Sequence, residues 1–288
     1  MNFYKSTDLA CESYVLDCEK NKENGIISRI DTILGYDVIK TEITNEIGES
    51  ITGKRMGKYL TLYFGDAYKY NEKEKGNMSG ALALSINELL KEQSIKGRTF
   101  LVVGLGNKNI SSDSLGSICI EKMPPTHHLT SEARKFQKFG YDLALFSSPV
   151  LGQSGIESGN LVKMVKNEVN ADCVIAIDSC ITNSPNRLCR TIQLSSTGIS
   201  PGSGINASRS EISEKTLGVP VISIGVPCAI CLSSLFYSTL SESMVNIDTE
   251  KLKEYEQIYL SPSDIDISLD TFSSIIKNGI ISAIKGYI

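Results

Sequence analysis

Two carboxylates stand where chemistry is expected. Asp178 ends the apolar run Cys173-Val174-Ile175-Ala176-Ile177. Asp113 follows the turn Gly104-Leu105-Gly106-Asn107, which leaves a second apolar run, Thr99-Phe100-Leu101-Val102-Val103. If both runs are parallel strands, the ligand crevice lies beyond their carboxyl ends and both aspartates reach it. Two carboxylates brought together share a proton, because mutual repulsion raises one pKa while the other group stays ionised. The ionised member then takes a proton from water as the protonated member gives one to a carbonyl oxygen. No histidine is needed, and this chain has only two, the adjacent His127 and His128. Each aspartate also has a structural reading, as a cap for the free amides of a following helix.

Other chemistries leave weaker traces. His127 and His128 read either as a metal ligand or proton donor, or as satisfied or exposed bystanders. Cys228 and Cys231 form one C-x-x-C, a redox pair or half a zinc site, with no second pair of matching spacing. The eight cysteines are scattered through a chain long enough to have its own core, so reduced, mostly buried thiols are expected. A dinucleotide loop lacks its third glycine, because position 109 is Asn, and Gly152-Gln153-Ser154-Gly155 is one residue short of a serine elbow. The stretch from Ser195 through Gly204 is dense in glycines and hydroxyls, as befits a groove lining or an anion site built from amides. Candidate groove residues are therefore Gly104, Gly106, Asn107, Gly198, Gly202, Ser203 and Gly204. No cofactor and no metal is expected.

The elements that must position these residues follow from hydrophobic periodicity. The polar first part predicts a helix over 8–20, strands over 37–43 and 59–64, and a helix over 80–91. From residue 98 the pattern changes. Near-continuous apolar strands over 99–104, 142–146, 173–177 and 219–226 alternate with helices over 114–123, 132–139 and 159–169, and an amphipathic helix over 270–288 closes the chain. Strands that are apolar throughout are covered on both faces. The expected class is α/β, with a mainly parallel central sheet flanked by helices and a smaller N-terminal α+β portion over 9–97. All of it forms a single domain, 1–288.

Composition narrows the partners. With 288 residues and 41% hydrophobic side chains the chain can bury a large core. Thirty-three acidic against 29 basic residues give a net charge of −4, a poor footprint for phosphate neutralisation, so no direct nucleic-acid binding is expected. The uncharged stretch 217–241 is interrupted by Pro220, Gly225 and Pro227, and reads as a buried strand and helix, not a membrane span. The first residues lack a basic flank with an apolar run, so a cytoplasmic protein is expected.

An ordered series of blocks carries a resemblance. It comprises Gly104-Leu105-Gly106-Asn107, Asp113-Ser114-Leu115-Gly116, Gly155-Ile156-Glu157, Ala176-Ile177-Asp178, Thr191-Ile192-Gln193-Leu194, Thr197-Gly198-Ile199-Ser200-Pro201-Gly202-Ser203-Gly204, and the block from Thr216 through Pro227. Over residues 6–227 the chain resembles the spore germination protease family. The resemblance implies an endopeptidase that degrades small acid-soluble spore proteins, with a fold similar to hydrogenase maturation proteases and two essential aspartates at Asp113 and Asp178. It also implies a homotetramer in the forespore or spore core, and a zymogen that clips itself. Thr7-Asp8-Leu9-Ala10-Cys11-Glu12 fits the family's processing segment, which makes 1–8 a propeptide cut between Asp8 and Leu9.

Some positions depart from the family. The chain is shorter than typical members, and Cys228-Ala229-Ile230-Cys231 replaces a polar, acidic continuation. Ser196 stands where Asp is common and His127 where Arg is common. Two rival readings remain: a metal-dependent maturation-type protease using Asp113, Asp178 and His128, and a divergent homologue that binds spore proteins without cutting them.

Overall fold

The apolar runs of the second half pair as parallel strands. A computed structural model describes residues 7–14, 18–93, 95, 97–136, 140–200, 210–242 and 249–287. Its strands are β1 (Ile26–Ile33), β2 (Tyr36–Ile43), β3 (Gly57–Tyr63), β4 (Thr99–Gly104), β5 (Asp142–Ser147), β6 (Cys173–Thr182), β7 (Thr191–Ser195), β8 (Val221–Cys231) and β9 (Tyr259–Leu260). They form one sheet in the order β1-β2-β3-β7-β8-β6-β4-β5, with β9 added to β8.

The neighbours β5, β4, β6 and β8 are parallel, whereas β1, β2, β3, β7 and β9 join antiparallel. The parallel half is the one the sequence predicts. The N-terminal strands extend the same sheet, which is therefore mixed as a whole. A two-residue turn, Leu34 and Gly35 with φ of 50° and 86°, joins β1 to β2, and so short a link permits only antiparallel neighbours. β1 escapes sequence analysis because five of its eight side chains are exposed and no apolar alternation survives.

Side-chain parity assigns each strand residue to one of two cores. Phe100, Val102, Ile175 and Ile177 pack under the helices Glu72–Glu92, Leu115–Lys122 and Ile265–Tyr287. Leu101, Val103, Val174 and Ala176 face the opposite layer, where Val162 of helix Ser158–Val169 and Leu217 lie. By the same alternation Asp178 follows Val174 and Ala176.

Boundaries differ from expectation where capping or tertiary contacts decide. The helix expected over 80–91 begins at Glu72, because Asn71 and Glu74 form a capping box. The last helix begins at Ile265, not at 270. The helix expected over 8–20 does not form as such. Asp8 and Leu9 are non-helical, a single tight turn covers Ala10–Glu12, and a short helix follows at Cys18–Glu23. Asp8, Ala10 and Glu12 of this segment bond to β6 and β7 rather than along a helix. The stretch 217–241 forms β8 and most of helix Leu232–Glu242. Among the described residues no helix is long and apolar enough to cross a membrane.

Candidate active site

The site begins where β6 loses a neighbour. β4 pairs with β6 as far as Gly104 opposite Ile177, and then the chain turns away while Leu105 N–H still donates to the Ile177 carbonyl at 2.8 Å. β6 continues beside β8, with Asp178 opposite Gly225. Asp178 was expected just past the strand's tip, but it lies inside β6, which runs on to Thr182. The effect is the one sought, because the sheet is open on the β4 side from this residue onward.

Close backbone packing brings Asp113 to the same place. A Cβ on Gly116, in the first turn of helix Leu115–Lys122, would lie 2.4 Å from both the amide N and the carbonyl O of Leu105. Gly106, with φ of 100°, takes a conformation that side chains disfavour, and a Cβ there would meet the Asp113 backbone at 2.1 Å. Between them, a tight turn over Ser111–Asp113 presents the carboxylate. Asp113 Oδ2 accepts the Asn107 N–H at 2.8 Å, and Asp178 Oδ1 accepts the Ser179 N–H at 2.9 Å. Neither serves as the expected helix cap. Ser114 is the N-cap of helix Leu115–Lys122 and makes no side-chain capping bond, and β6 leads into no helix at Asp178.

Both aspartates line one cleft of about 620 Å³. Of the candidate groove residues, Gly106, Asn107 and Gly198 line it. Gly104 lies behind the wall, packed against the Gly116 carbonyl. Gly202, Ser203 and Gly204 fall outside the described residues. Gln153 Nε2 donates to Asn107 Oδ1 at 2.9 Å and props the loop that holds Asp113. Neither histidine is in the lining, and His127 Nδ1 lies 2.9 Å from Asp142 Oδ1. Among the described residues no three His, Cys, Asp or Glu side chains gather as a metal site. The geometry does not bring His128 to the aspartates.

The N-terminal segment forms another wall. Asp8 lines the cleft, while Leu9 and Ala10 are fully buried. Asp8 pairs with β6 at Ile181, its N–H donating to the Ile181 carbonyl at 3.0 Å and its Oδ2 accepting the Ile181 N–H at 2.9 Å. Gln193 of β7 brackets the same stretch: Nε2 donates to the Asp8 carbonyl at 2.9 Å and Oε1 accepts the Ala10 N–H at 2.7 Å. Glu12 anchors the end. Its carboxylate accepts from Thr7 Oγ1 (2.5 Å), Thr182 Oγ1 (2.6 Å) and Asn183 N–H (2.8 Å), with Arg187 at 3.4 Å. Gln193 and Glu12 were missed as site residues. The signal for Gln193 was a lone amide inside the apolar strand Thr191-Ile192-Gln193-Leu194, which has to find partners once buried.

Cys180 also lines the cleft, two residues from Asp178. Burial first, then the Asp8 and Asp178 carboxylates, push its thiol well above the ordinary range, so it stays protonated and is a poor nucleophile. All seven cysteines with described side chains are free and buried. The C-x-x-C does not act as a pair. Cys228 Sγ donates to the Val226 carbonyl at 3.2 Å, whereas Cys231 Sγ lies 3.1 Å from Ser233 Oγ.

Comparison with known proteins agrees with the blocks that carry the resemblance. The family described as germination protease matches residues 5–259. A germination protease of Clostridium tetani is 34% identical over 97% of this chain and 95% of its own length, and one of Clostridium acetobutylicum is 32% identical over 97% and 94%. One of Oceanobacillus iheyensis is 34% identical over 91% of this chain and 74% of its own length. The family match therefore continues past Pro227, where the sequence suggested divergence. With the blocks around Asp113 and Asp178 folded into one cleft and the match spanning nearly the whole length, the chain belongs to the germination protease family.

Proposed function

We propose that this protein is an endopeptidase that degrades small acid-soluble spore proteins during germination, using Asp113 and Asp178 to activate water. One observation carries the reading: two aspartates, Asp113 from the turn after β4 and Asp178 from within β6, line a single cleft, and neither acts as a helix cap. The backbone amides of Asn107 and Ser179 orient the two carboxylates. The ionised member removes a proton from water, whose oxygen attacks the peptide carbonyl carbon while the protonated member gives its proton to the carbonyl oxygen. Collapse of the tetrahedral species breaks the C–N bond: the leaving nitrogen takes the proton removed from water, and a hydroxyl of the diol returns a proton to the other aspartate, restoring the pair. The cleft lining holds no histidine for these transfers.

The reading includes self-processing between Asp8 and Leu9. Its support is the position of Asp8 in the cleft wall, with its carbonyl held by Gln193. Leu9 is buried, so the bond reaches the aspartates only if the segment shifts. The reading also includes a homotetramer of the forespore or spore core that binds no DNA, in keeping with the acidic charge balance.

Incubation with a small acid-soluble spore protein, followed by mass spectrometry of substrate and enzyme, tests the proposal. Fragments, together with loss of residues 1–8 from the enzyme, are expected. Asp113→Asn and Asp178→Asn should each abolish both while leaving the circular dichroism unchanged. Retained cleavage in either variant removes the pair from the mechanism. Intact substrate that co-elutes with the enzyme identifies a binding homologue, and cleavage lost in chelator identifies a metal enzyme.

A further inference from the structure

Gln193 stands in one row with the Asp178 carboxylate. Asp178 of β6 is paired with Gly225 of β8, and Gly225 in turn with Gln193 of β7. Residues opposite one another on neighbouring strands project from the same face, so Asp178 and Gln193 rise together, their backbones about 10 Å apart across two strand spacings. The parity agrees, because Ile192 and Leu194, on either side of Gln193, pack into the core beneath the other face. The middle position of the row is a glycine, and a Cβ there would overlap the Cys180 thiol. The row is a trough with a carboxylate on one side and an amide on the other, and Asp178, Cys180, Gly225 and Gln193 all line the cleft.

Gln193 is 8% exposed and finds its partners in the N-terminal segment. Nε2 donates to the Asp8 carbonyl at 2.9 Å, and Oε1 accepts the Ala10 N–H at 2.7 Å. An acceptor on one side and a donor on the other fix which way the amide points. Asp8 carries the carbonyl of the bond at which the chain would process itself, and Ala10 is the second residue beyond that bond. One side chain thus touches the carbonyl oxygen at the cut and sets the register of the peptide around it. A carbonyl oxygen has two lone pairs, which leaves a second position for the protonated aspartate.

We propose that Gln193 is a third catalytic residue, whose Nε2–H binds the scissile carbonyl oxygen, first of the chain's own N-terminal segment and then of spore-protein substrates, and stabilises the charge that gathers on that oxygen as water adds. A donor aimed at such an oxygen is worth most when the charge develops. No bond to Gln193 is made or broken, and the proton that the oxygen takes comes from the aspartate. The flexible side chain follows the carbonyl through the shift that brings the bond to the aspartates, while Oε1 keeps the register by holding the N–H two residues on. The inference rests on the peptidase reading above and adds to it a donor that the aspartate pair does not supply.

Self-processing of the full chain, followed as a first-order rate, and kcat and KM of the processed chain on a small acid-soluble spore protein test this with Gln193→Glu and Gln193→Met. Methionine keeps the length of the side chain without either amide group, and glutamate keeps the acceptor but has no donor when ionised. At pH 7 each should lower the processing rate and kcat about 100-fold or more, the loss expected for one such donor, with KM little changed. As pH falls, the new carboxyl takes up a proton and regains an O–H donor. The ratio of the Gln193→Glu rate to the wild-type rate at the same pH should then rise, while the Gln193→Met ratio stays flat; a residue that only holds the fold would give two flat ratios. Rates are taken on the folded fraction, set by urea unfolding. Wild-type kcat in either variant overturns the proposal, as does a loss confined to KM, a Gln193→Glu ratio that does not rise, or faster processing, which would make Gln193 a mere tether of the segment. A wild type that cuts neither itself nor the substrate overturns the peptidase reading and this inference with it, whereas a cutting wild type matched by its Gln193 variants overturns the inference alone.

Discussion

Substituting Gly116 by Ala tests how the Asp113 turn is held against the strand that carries Asp178. The added methyl would lie 2.4 Å from both N and O of Leu105 and 2.7 Å from the Ile177 carbonyl oxygen. Ordinary contact begins near 3.4 Å, so the first turn of helix Leu115–Lys122 must withdraw by about 1 Å. No flexible side chain can yield, because all three atoms are backbone. Overpacking of this kind costs roughly 1–3 kcal/mol. The larger effect is on chemistry: Asp113 stands three residues before Gly116 and moves with it, while Asp178 stays in β6. A misplacement of about 1 Å costs roughly 100-fold in rate, or about 2.7 kcal/mol of barrier. The assay is kcat/KM on a spore-protein substrate for the folded fraction, with urea unfolding in parallel. Gly76→Ala is the control. Gly76 lies exposed in helix Glu72–Glu92 with nothing within 4 Å of a new Cβ, and alanine there should add about 0.5–1 kcal/mol of stability and leave the rate alone. A folded Gly116→Ala enzyme with wild-type kcat/KM would refute the claim that this contact sets the distance between the aspartates.

Glu12→Ala removes a buried carboxylate that takes three hydrogen bonds and faces Arg187. It should lower stability by about 2–3 kcal/mol in urea and speed amide exchange over residues 7–13. Cys180→Ser should keep activity within about threefold of wild type, because a thiol held protonated is not the nucleophile, and an inactive, folded variant would reverse that assignment. Lys69 first, then Arg190, hold the Asp66 carboxyl below the usual aspartate value. A depressed folded pKa contributes stability that is present above the unfolded value of 3.8 and is lost as pH falls through the folded one. The melting-temperature gap between wild type and Asp66→Asn should thus be open at pH 7 and close as pH falls below 3.8.

The parallel half of the sheet was legible because burial on both faces leaves an unambiguous trace, five or six apolar residues in a row. Asp113 and Asp178 were legible for the same reason, since each follows such a run. What stayed hidden is set by long-range partners. β1 reads as a polar segment because its pairing is with backbone, and its side chains are mostly exposed. Residues 8–12 have helical spacing, yet Thr182, Asn183 and Gln193, some 170 positions away, offer their polar groups better partners than a helix would. Nothing within twenty residues of Asp8 announces that. The continuation of β6 past Asp178 was hidden too, because it depends on β8 running on alongside.

The cleft gathers carboxylates from distant parts of the chain. Among the described residues, Asp8, Asp113, Asp178 and Glu211 line the cleft with Lys54 and Arg55. Arg55 is ion-paired with Glu211, and Lys54 Nζ donates to the Thr7 carbonyl at 2.7 Å. The proposed water activation starts from one protonated and one ionised aspartate, a state that two carboxylates held together favour. A histidine base would have lost by this crowding, since nearby carboxylates hold its proton on. The carboxylates come from four distant stretches of chain, and they meet only where β6, the Asp113 turn, the N-terminal segment and the stretch at Glu211 converge.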